Sequence, residues 1–265
     1  MVSSDKAYEE YVQATGFGLG QYKPQGRSIA YDSQQQGFTT RPTNAAWALG
    51  YIVTEEEIED NLYEKIAKGR TRALAFSMLQ AKEINAALIY NRAFTSGYVG
   101  GDGVVLCSTA HPNVSGGTYA NTPTVASDLS EAALEQAAID IMAWTNDRGL
   151  KIAVRPRKLI IPKELVFEAD RILKTEGRTG TDLNDLNALK ARGMIPEVVV
   201  NHYLTDTDAW FILTDVRDGL KYFERRGDAF EMDNDFDTEN AKFKATARYS
   251  LGWTDPRCMY GSMGV

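Results

Sequence analysis

Cys107 and His111 come closest, by residue type and spacing, to a catalytic arrangement. A thiol nucleophile needs a base within hydrogen-bond reach, and the two residues are four positions apart, separated by Ser-Thr-Ala. Pro112 follows directly, so the stretch is predicted to be a loop, and the sequence offers no evident third group to orient the histidine. We therefore predict no catalytic residues and no enzyme. A thiol hydrolase that uses Cys107 is the enzymatic alternative.

Metal-binding patterns are equally weak. The two histidines, His111 and His202, lie near no cysteine pair, whereas a structural zinc site uses four nitrogen or sulfur ligands. The acidic run 233–239 places Asp at alternate positions, as a calcium-binding loop does. Such a loop needs glycine at its sixth position and glutamate at its twelfth, where this chain has Thr238 and Lys244. The run is predicted to be a solvated turn, and no metal site is predicted.

Two glycine-rich stretches, 16–20 and 97–103, resemble phosphate-binding loops in composition only. A dinucleotide-binding loop follows a buried strand and opens a helix, and neither stretch has that context. Neither stretch ends in the Gly-Lys-Ser/Thr of a nucleotide-triphosphate loop. We therefore predict no cofactor.

Length and composition are those of an ordinary globular protein. The chain has 265 residues, of which 43% are hydrophobic and 25% charged, which suits one large domain or two smaller ones. A net charge of −7 argues against tight wrapping of nucleic acid but not against enclosing it. The two cysteines are far apart and predict no disulfide framework. Neither a signal peptide nor a membrane-spanning run is evident.

Because the sequence shows so few catalytic or metal-binding patterns, its predicted secondary structure is more informative. The most regular predicted element spans residues 54–95. They are predicted to form one helix of about 40 residues and roughly 60 Å. Thr54 and Glu57 fit a capping box at its start, and Gly69 is the predicted bend. The predicted buried stripe consists of Ile58, Leu62, Ile66, Gly69, Ala73, Phe76, Gln80, Ile84 and Ala87.

Extended segments flank this helix. Residues 1–53 are predicted to form a long hairpin with strands at 28–32 and 37–52; it lacks a core of its own and is expected to lie against another subunit. Residues 104–218 alternate helix and strand, including a short strand at 104–106, a helix that begins at Ser127 or Asp128, and a buried strand between Pro156 and Pro162. Residues 221–230 and 243–253 form a predicted antiparallel pair that packs on the long helix.

The sequence closely resembles the major head subunit of Mu-like tailed phages and prophages, a branch of the phage major capsid (Johnson-type) fold. The resemblance covers nearly the whole chain, and its C-terminal phrase is the most specific part. The segments that carry it are ALGYIVTEEEIEDNLY at 48–63, LCSTAHP at 106–112, DLSEAALEQA at 128–137, RPRKLIIP at 155–162, NHYLTDTDAWFILTD at 201–215, FDTENAKFKATARYSLGWTDPR at 236–257 and YGS at 260–262.

The resemblance implies an α+β capsid fold with three parts. Residues 1–53 would be an N-terminal remnant and the extended β-hairpin called the E-loop. Residues 54–103 and 219–255 would form the peripheral domain, with the long helix as its spine and antiparallel strands against it. Residues 104–218 and 256–265 would form an inserted mixed α/β axial domain.

The function implied is structural: a major capsid protein that self-assembles into pentamers and hexamers as an icosahedral head around double-stranded DNA. Expected partners are other copies of the chain and the scaffolding, portal and decoration proteins of the phage head, with no membrane and no sequence-specific DNA binding. The virion is the expected location, after assembly in the bacterial cytoplasm. An encapsulin-like shell that packages protein cargo is the alternative.

Charged residues on the hairpin and on the acidic turn are candidates for contacts between subunits. Opposite charges on two extended segments would pair when one segment reaches a neighbouring copy. The candidates are Lys23, Arg27, Arg41, Asp233, Asp235 and Asp237.

Overall fold

The computed structural model describes residues 2–60, 63–177, 185–217 and 219–265, with the backbone alone for residues 63–67. Two compact units divide the chain. Unit 1 contains Met1–Glu9, Pro42–Leu88 and Lys221–Gly252, and unit 2 contains Glu10–Arg41, Ile89–Leu220 and Trp253–Val265. Among the described residues, no helix combines the length and the apolar character needed to cross a membrane.

Strands and helices alternate along most of the described chain. The helices are α1 (Glu55–Glu59), α2 (Tyr63–Asn91), α3 (Glu131–Ala143), α4 (Val166–Lys174) and α5 (Ala188–Arg192). The strands are β1 (Val2–Ser3), β2 (Tyr11–Ala14), β3 (Gln36–Thr40), β4 (Ala45–Val53), β5 (His111–Pro112), β6 (Thr118–Tyr119), β7 (Pro156–Ile161), β8 (Glu197–Val200), β9 (Trp210–Thr214), β10 (Leu220–Asn234), β11 (Ala241–Trp253) and β12 (Met259–Ser262).

Unit 1 is built on a sheet in the order β1-β10-β11-β4. β1 runs parallel to β10, and β11 runs antiparallel to β4 over nine residue pairs from Ala241–Val53 to Tyr249–Ala45. One face of β11 is apolar, because alternate residues of a strand point to opposite faces. Ala245, Ala247 and Tyr249 on that face pack with Leu74 and Met78 of α2. The predicted period-two strand and its packing against the long helix are thus present.

The long helix differs from its prediction in two ways. Thr54 caps α1 as predicted, but α1 ends at Glu59, and Asp60 adopts a non-helical ψ of 3°. Aspartate favours helix ends because its side chain competes for backbone hydrogen bonds. α2 then begins at Tyr63 and passes through Gly69 as continuous helix, ending at Asn91 rather than Thr95.

The predicted buried stripe of this helix is also wrong in register. Phe76 and Ile84 are exposed, whereas Leu74 and Met78 are buried. The apolar residues of α2 are spread around the helix, so the sheet rather than the helical pattern decides which side is covered. Of the other predicted members, Ala87 is buried, whereas Ile58, Gly69, Ala73 and Gln80 are exposed. The side chains of Leu62 and Ile66 lie outside the described residues.

Unit 2 is built on a mixed sheet in the order β12-β9-β7-β8. β7 is parallel to β8 and antiparallel to β9, and β12 is antiparallel to β9. The buried strand predicted between Pro156 and Pro162 is confirmed as β7. Leu159 and Ile161 of β7 lie in the core with α3, α4 and α5, while Ile160 lies in a second core. Both faces of this sheet are therefore covered.

Three local predictions in unit 2 need correction. Residues 28–32 form no strand, because they pair with no neighbouring strand. α3 is capped by Ser130, whose side chain accepts from the Ala133 N–H, rather than by Ser127 or Asp128. The predicted strand 104–106 is reduced to an isolated bridge between Val99 and Val105.

Candidate assembly surfaces

The segment between β2 and β3 carries a concentration of exposed large apolar side chains. β2 and β3 pair antiparallel only at their bases, from Tyr11–Thr40 to Ala14–Gln36. Within the segment, Tyr22 is 90% exposed and Tyr31 is 88% exposed. Exposed aromatic rings at this density are typical of an interaction surface. The exposed large apolar residues of the segment are Phe17, Leu19, Tyr22, Ile29 and Tyr31.

This segment is held in shape by polar contacts rather than by a core. The Asp32 carboxylate accepts from the Gly18 N–H at 2.8 Å and from Arg148 Nη1 at 2.7 Å. These contacts, the Gly18 N–H first, hold the pKa of Asp32 below its ordinary value. Thr15 and Gln35 exchange hydrogen bonds between the two limbs. The segment is thus a tied loop whose apolar side chains remain uncovered within unit 2.

Much of the exposed apolar surface described for unit 1 lies on β4, on α2 and at the end of the β10–β11 pair. The strand β4 is an edge of its sheet, nine residues long and without a charged residue. Long uncharged edge strands are unusual on isolated proteins, because they invite pairing with another chain. The exposed residues are Trp47, Leu49 and Ile52 on β4, Phe76, Leu79 and Ile84 on α2, and Phe230, Met232 and Phe236 at the β10–β11 end.

A buried arginine organises the interior of unit 2. Arg257, 2% exposed, donates to the Thr145 carbonyl at 3.0 Å and to Asn113 Oδ1 at 2.7 Å. It also pairs with Asp147 at 3.2 Å and with Asp255 at 3.4 Å. Burial raises the pKa of Asp255, against the effect of the adjacent guanidinium. The network ties two separate loops, around Asn113 and around Thr145–Asp147, to the C-terminal segment.

His111 belongs to a second buried network rather than to a catalytic pair. Its Nδ1 lies 2.6 Å from Asp102 Oδ2, and its Nε2 lies 3.1 Å from Asn121 Oδ1. Asn121 Nδ2 in turn donates to the backbone carbonyls of Leu106, Pro256 and Met259. A group that orients the histidine therefore does exist, which corrects the sequence prediction. The ring nitrogens face these oxygens, so the histidine holds loops together.

The two cysteines are free and buried in the second core of unit 2. Burial raises the pKa of Cys107, and likewise that of Cys258, well above the ordinary range of a thiol. A thiol that remains protonated at neutral pH is a poor nucleophile. Among the described residues, no group of three or more His, Cys, Asp or Glu side chains could hold a metal ion.

The predicted contact residues fall in both units. Lys23 and Arg27 are exposed beside the turn at Gln25–Gly26. Arg41 is 3.6 Å from Glu10 in the same chain, and Asp235 accepts a hydrogen bond from Lys242. The remaining two, Asp233 and Asp237, are exposed.

The acidic run forms the turn between β10 and β11, as predicted. The Asp235 N–H donates to the Asn240 carbonyl at 3.0 Å, and Glu239 takes a left-handed φ of 56°. A hydrogen bond to Glu239 is the main cause that raises the pKa of the Glu55 carboxyl. Phe236, in the middle of this turn, is 95% exposed. The sequence prediction considered the charges of this turn and missed the exposed aromatic ring, although its position in a polar run was visible.

The fold is that of phage capsid shells. It is similar to the capsid of Myoviridae phage XM1, with 10% identity over 100% of this chain and 90% of that chain at a TM-score of 0.56. It is also similar to the capsid of cyanophage P-SCSP1u, with 12% identity over 98% and 85% and a TM-score of 0.58. The capsid of Ralstonia phage GP4 gives 9% identity over 99% and 85%, with a TM-score of 0.58.

A family model places the sequence more directly. The model described as phage capsid protein matches residues 38–262. The chain therefore belongs to the phage capsid protein family, and the predicted phage major capsid fold is confirmed. Among curated proteins, none matches the sequence.

Proposed function

We propose that this chain is the major capsid subunit of a Mu-like tailed phage or prophage. Copies of it would assemble into pentamers and hexamers and form an icosahedral head that encloses double-stranded DNA. The observation that carries the proposal is the tied loop between β2 and β3, read together with the family match at residues 38–262. The loop presents five large apolar side chains that unit 2 leaves exposed.

Such a loop is costly for an isolated protein and useful for a shell subunit. Exposed aromatic surface lowers the solubility of a monomer unless a partner covers it. Because the loop is already tied by Asp32 to Gly18 and Arg148, little conformational entropy remains to be lost on docking. Many weak contacts of this kind add up in a closed shell.

We also propose the three-part organisation implied by the resemblance. The loop within residues 1–53 serves as the E-loop, residues 54–103 and 219–255 as the peripheral domain, and residues 104–218 and 256–265 as the axial domain. The one-sided sheet on α2 supports the second assignment. The sheet covered on both faces supports the third, because an inserted domain needs its own core.

We propose charged contacts between neighbouring copies as well. Lys23 and Arg27 on the loop would face Asp233 and Asp237 of a neighbouring copy. Arg41 and Asp235 already have partners within the chain, so a contact between subunits would have to exchange those partners. Scaffolding, portal and decoration proteins would be the further partners of the assembled head, and the virion its location.

Electron microscopy of purified protein tests the proposal. Leu19→Ser, Tyr22→Ser and Tyr31→Ser together remove apolar surface from the loop and leave the β2–β3 pairing intact. The expected result is closed shells from the unmodified protein and soluble subunits from the triple variant. A matched variant with Val125→Ser, which changes an exposed apolar residue outside the loop, should still form shells.

Two results would count against the proposal. Shells of normal size from the triple variant would remove the role of the loop. Particles from the native source that contain a cargo protein in place of DNA would favour the encapsulin-like alternative.

A further inference from the structure

Three arginines surround an open depression on unit 1. The depression has a volume of about 500 Å³ and is lined by Asn44, Ala46, Arg225, Arg226 and Arg248. Arg248 of β11 lies directly opposite Ala46 of β4 in the sheet register, and the small alanine side chain leaves the space open. The whole chain carries a net charge of −7, so three guanidinium groups at one place are a local reversal of its charge.

The floor of the depression is a buried, hydrogen-bonded side chain. The Asn44 side chain is 5% exposed, donates to Ser4 Oγ at 2.8 Å and accepts from Ser250 Oγ at 2.9 Å. Asn44, which directly precedes β4, therefore links the end of β1 to β11. Two of the arginines are fixed to this frame: Arg225 donates to the Ser4 carbonyl at 3.3 Å, and Arg226 donates to Thr246 Oγ1 at 3.0 Å.

The positive charge at the depression is left available. Further along the same strand, Lys242 is paired with Asp235 and Lys244 with Glu231. Among the described residues, no carboxylate forms an ion pair with Arg225, Arg226 or Arg248. Glu231, paired with Lys244, has its pKa lowered chiefly by that lysine and only in smaller part by Arg226. A guanidinium has five donors, and the two anchored arginines each spend one on the protein.

We infer that Arg225, Arg226 and Arg248 form an anion site that binds phosphate groups of a nucleic-acid backbone. The planar guanidinium fork matches phosphate oxygens and pairs with them bidentately. The depression is open and much larger than one carboxylate, so a segment of nucleic-acid backbone could lie across it. The inference rests on the proposed function for the identity of the polyanion, double-stranded DNA. Contact is confined to a few phosphates, because the rest of the acidic chain repels the duplex.

The salt dependence of DNA binding tests the inference on unassembled full-length subunits. A labelled duplex of mixed sequence serves as the probe, and fluorescence anisotropy gives the affinity over a salt series. Three phosphate contacts correspond to a slope of about −2.7 in log affinity against log salt, or about a 40-fold loss for a fourfold rise in salt. Arg225→Gln, Arg226→Gln and Arg248→Gln together should abolish that dependence.

Two further variants keep the test decisive. Arg248→Gln alone removes an arginine whose side chain makes no hydrogen bond or ion pair with the described residues, so the fold should be retained and the slope should fall by about 0.9. A control with Lys151→Gln, Arg157→Gln and Arg192→Gln changes net charge equally at exposed positions of unit 2. Equal slopes for this control and the unmodified protein are expected. Equal losses in both triple variants would overturn the inference in favour of net charge alone.

Competition identifies the chemistry of the ligand. Inorganic phosphate should displace the duplex from the unmodified protein. A peptide with the acidic sequence of residues 233–239 that displaces the duplex at lower concentration than phosphate would overturn the inference and assign the site to a carboxylate-bearing segment. Shell formation is scored separately: shells with an unchanged slope in Arg248→Gln defeat this inference alone, whereas failure of the unmodified protein to form shells defeats the proposed function.

Discussion

The two main sheets of this protein differ in how many of their faces are covered. In unit 2, β7 alternates between two cores, with Leu159 and Ile161 on one side and Ile160 on the other. In unit 1, β11 buries Ala245 and Ala247 on one side only, and its other side carries the paired lysines and the arginine depression. Unit 2 thus covers both faces of its sheet with its own residues, whereas unit 1 leaves one face of its sheet and the β4 edge exposed.

The buried polar networks of the two units also differ, and unit 2 again has the more extensive one. In unit 2 a buried guanidinium and a buried imidazole connect loops that are far apart in sequence. In unit 1 the buried polar side chains of Ser4, Asn44 and Ser250 form one short hydrogen-bonded chain that joins strand ends. We therefore expect substitutions inside unit 2 to cost the most stability and substitutions on the open surfaces of unit 1 to cost the least.

The largest effect is expected for Arg257→Ala. Its removal leaves Asp147 and Asp255 buried without their cation, a change that costs about 3 to 5 kcal/mol. Urea unfolding followed by circular dichroism measures the loss. Arg157→Ala, at an exposed position of β7, is the matched control and should cost less than about 0.5 kcal/mol. Similar losses for both arginines would show that the buried network contributes nothing particular.

Ile212→Ala should follow closely. Ile212 is fully buried in the main core of unit 2, and truncation of a buried isoleucine costs about 2 to 5 kcal/mol through lost burial and the cavity left behind. The comparison variant is Leu49→Ala on the exposed edge strand of unit 1, where unassembled subunits should lose about 0.5 kcal/mol or less. Equal losses of unfolding free energy in Leu49→Ala and Ile212→Ala would contradict the expected difference between the two units.

Asn44→Ala is expected to have an intermediate effect. It leaves the buried Ser4 and Ser250 hydroxyl groups without their shared partner, at a cost of about 1 to 3 kcal/mol. Hydrogen exchange of β1 and β11 amides measures whether the loss is local to unit 1. The exposed Asn234→Ala serves as control. Unchanged protection in Asn44→Ala would mean that the amide does not hold these strands together.

The smallest effect concerns pH. Arg70 donates two hydrogen bonds of 2.9 Å to Glu57 and holds the pKa of that carboxyl below its ordinary value of 4.5. A lowered folded-state pKa stabilises the protein above pH 4.5, and the contribution is lost as the pH falls through the lowered value. The gain is small because the pair is partly exposed.

Glu57→Gln tests this dependence. The variant should unfold at lower urea concentration than the unmodified protein at neutral pH, and the difference should disappear in acid. Glu56→Gln removes a charge from the same first turn of α1 and controls for the helix dipole. A difference between Glu57→Gln and the unmodified protein that persists at the acid end would exclude the ion pair as its cause.

Several elements were predictable from the sequence because their signals are local. The strand between Pro156 and Pro162, the alternation of β11 and the cap at Thr54 depend on residues within a few positions of one another. The failures have an equally physical origin. The buried side of α2 could not be predicted, because its apolar residues surround the helix and the sheet selects Leu74 and Met78.

The candidate surfaces show the same division. The apolar residues of the loop and the charges of the acidic turn were visible in the sequence, as was the resemblance to a capsid subunit. The arginine depression was not, because Arg225 and Arg226 meet Arg248 only through the pairing of β10, β11 and β4. The same holds for the partner of His111, since Asp102 reaches it through a loop whose path is not encoded in a short pattern.

The sequence by itself determined the class of protein and several of the segments that become strands and helices. Each of these depends on composition or on short-range periodicity, which a linear reading captures. Tertiary structure decided which faces are covered, where Arg257 finds its partners and which cations remain unpaired. Those outcomes depend on contacts between residues more than a hundred positions apart, such as Arg257 with Asn113 and Asp147, and packing alone selects them.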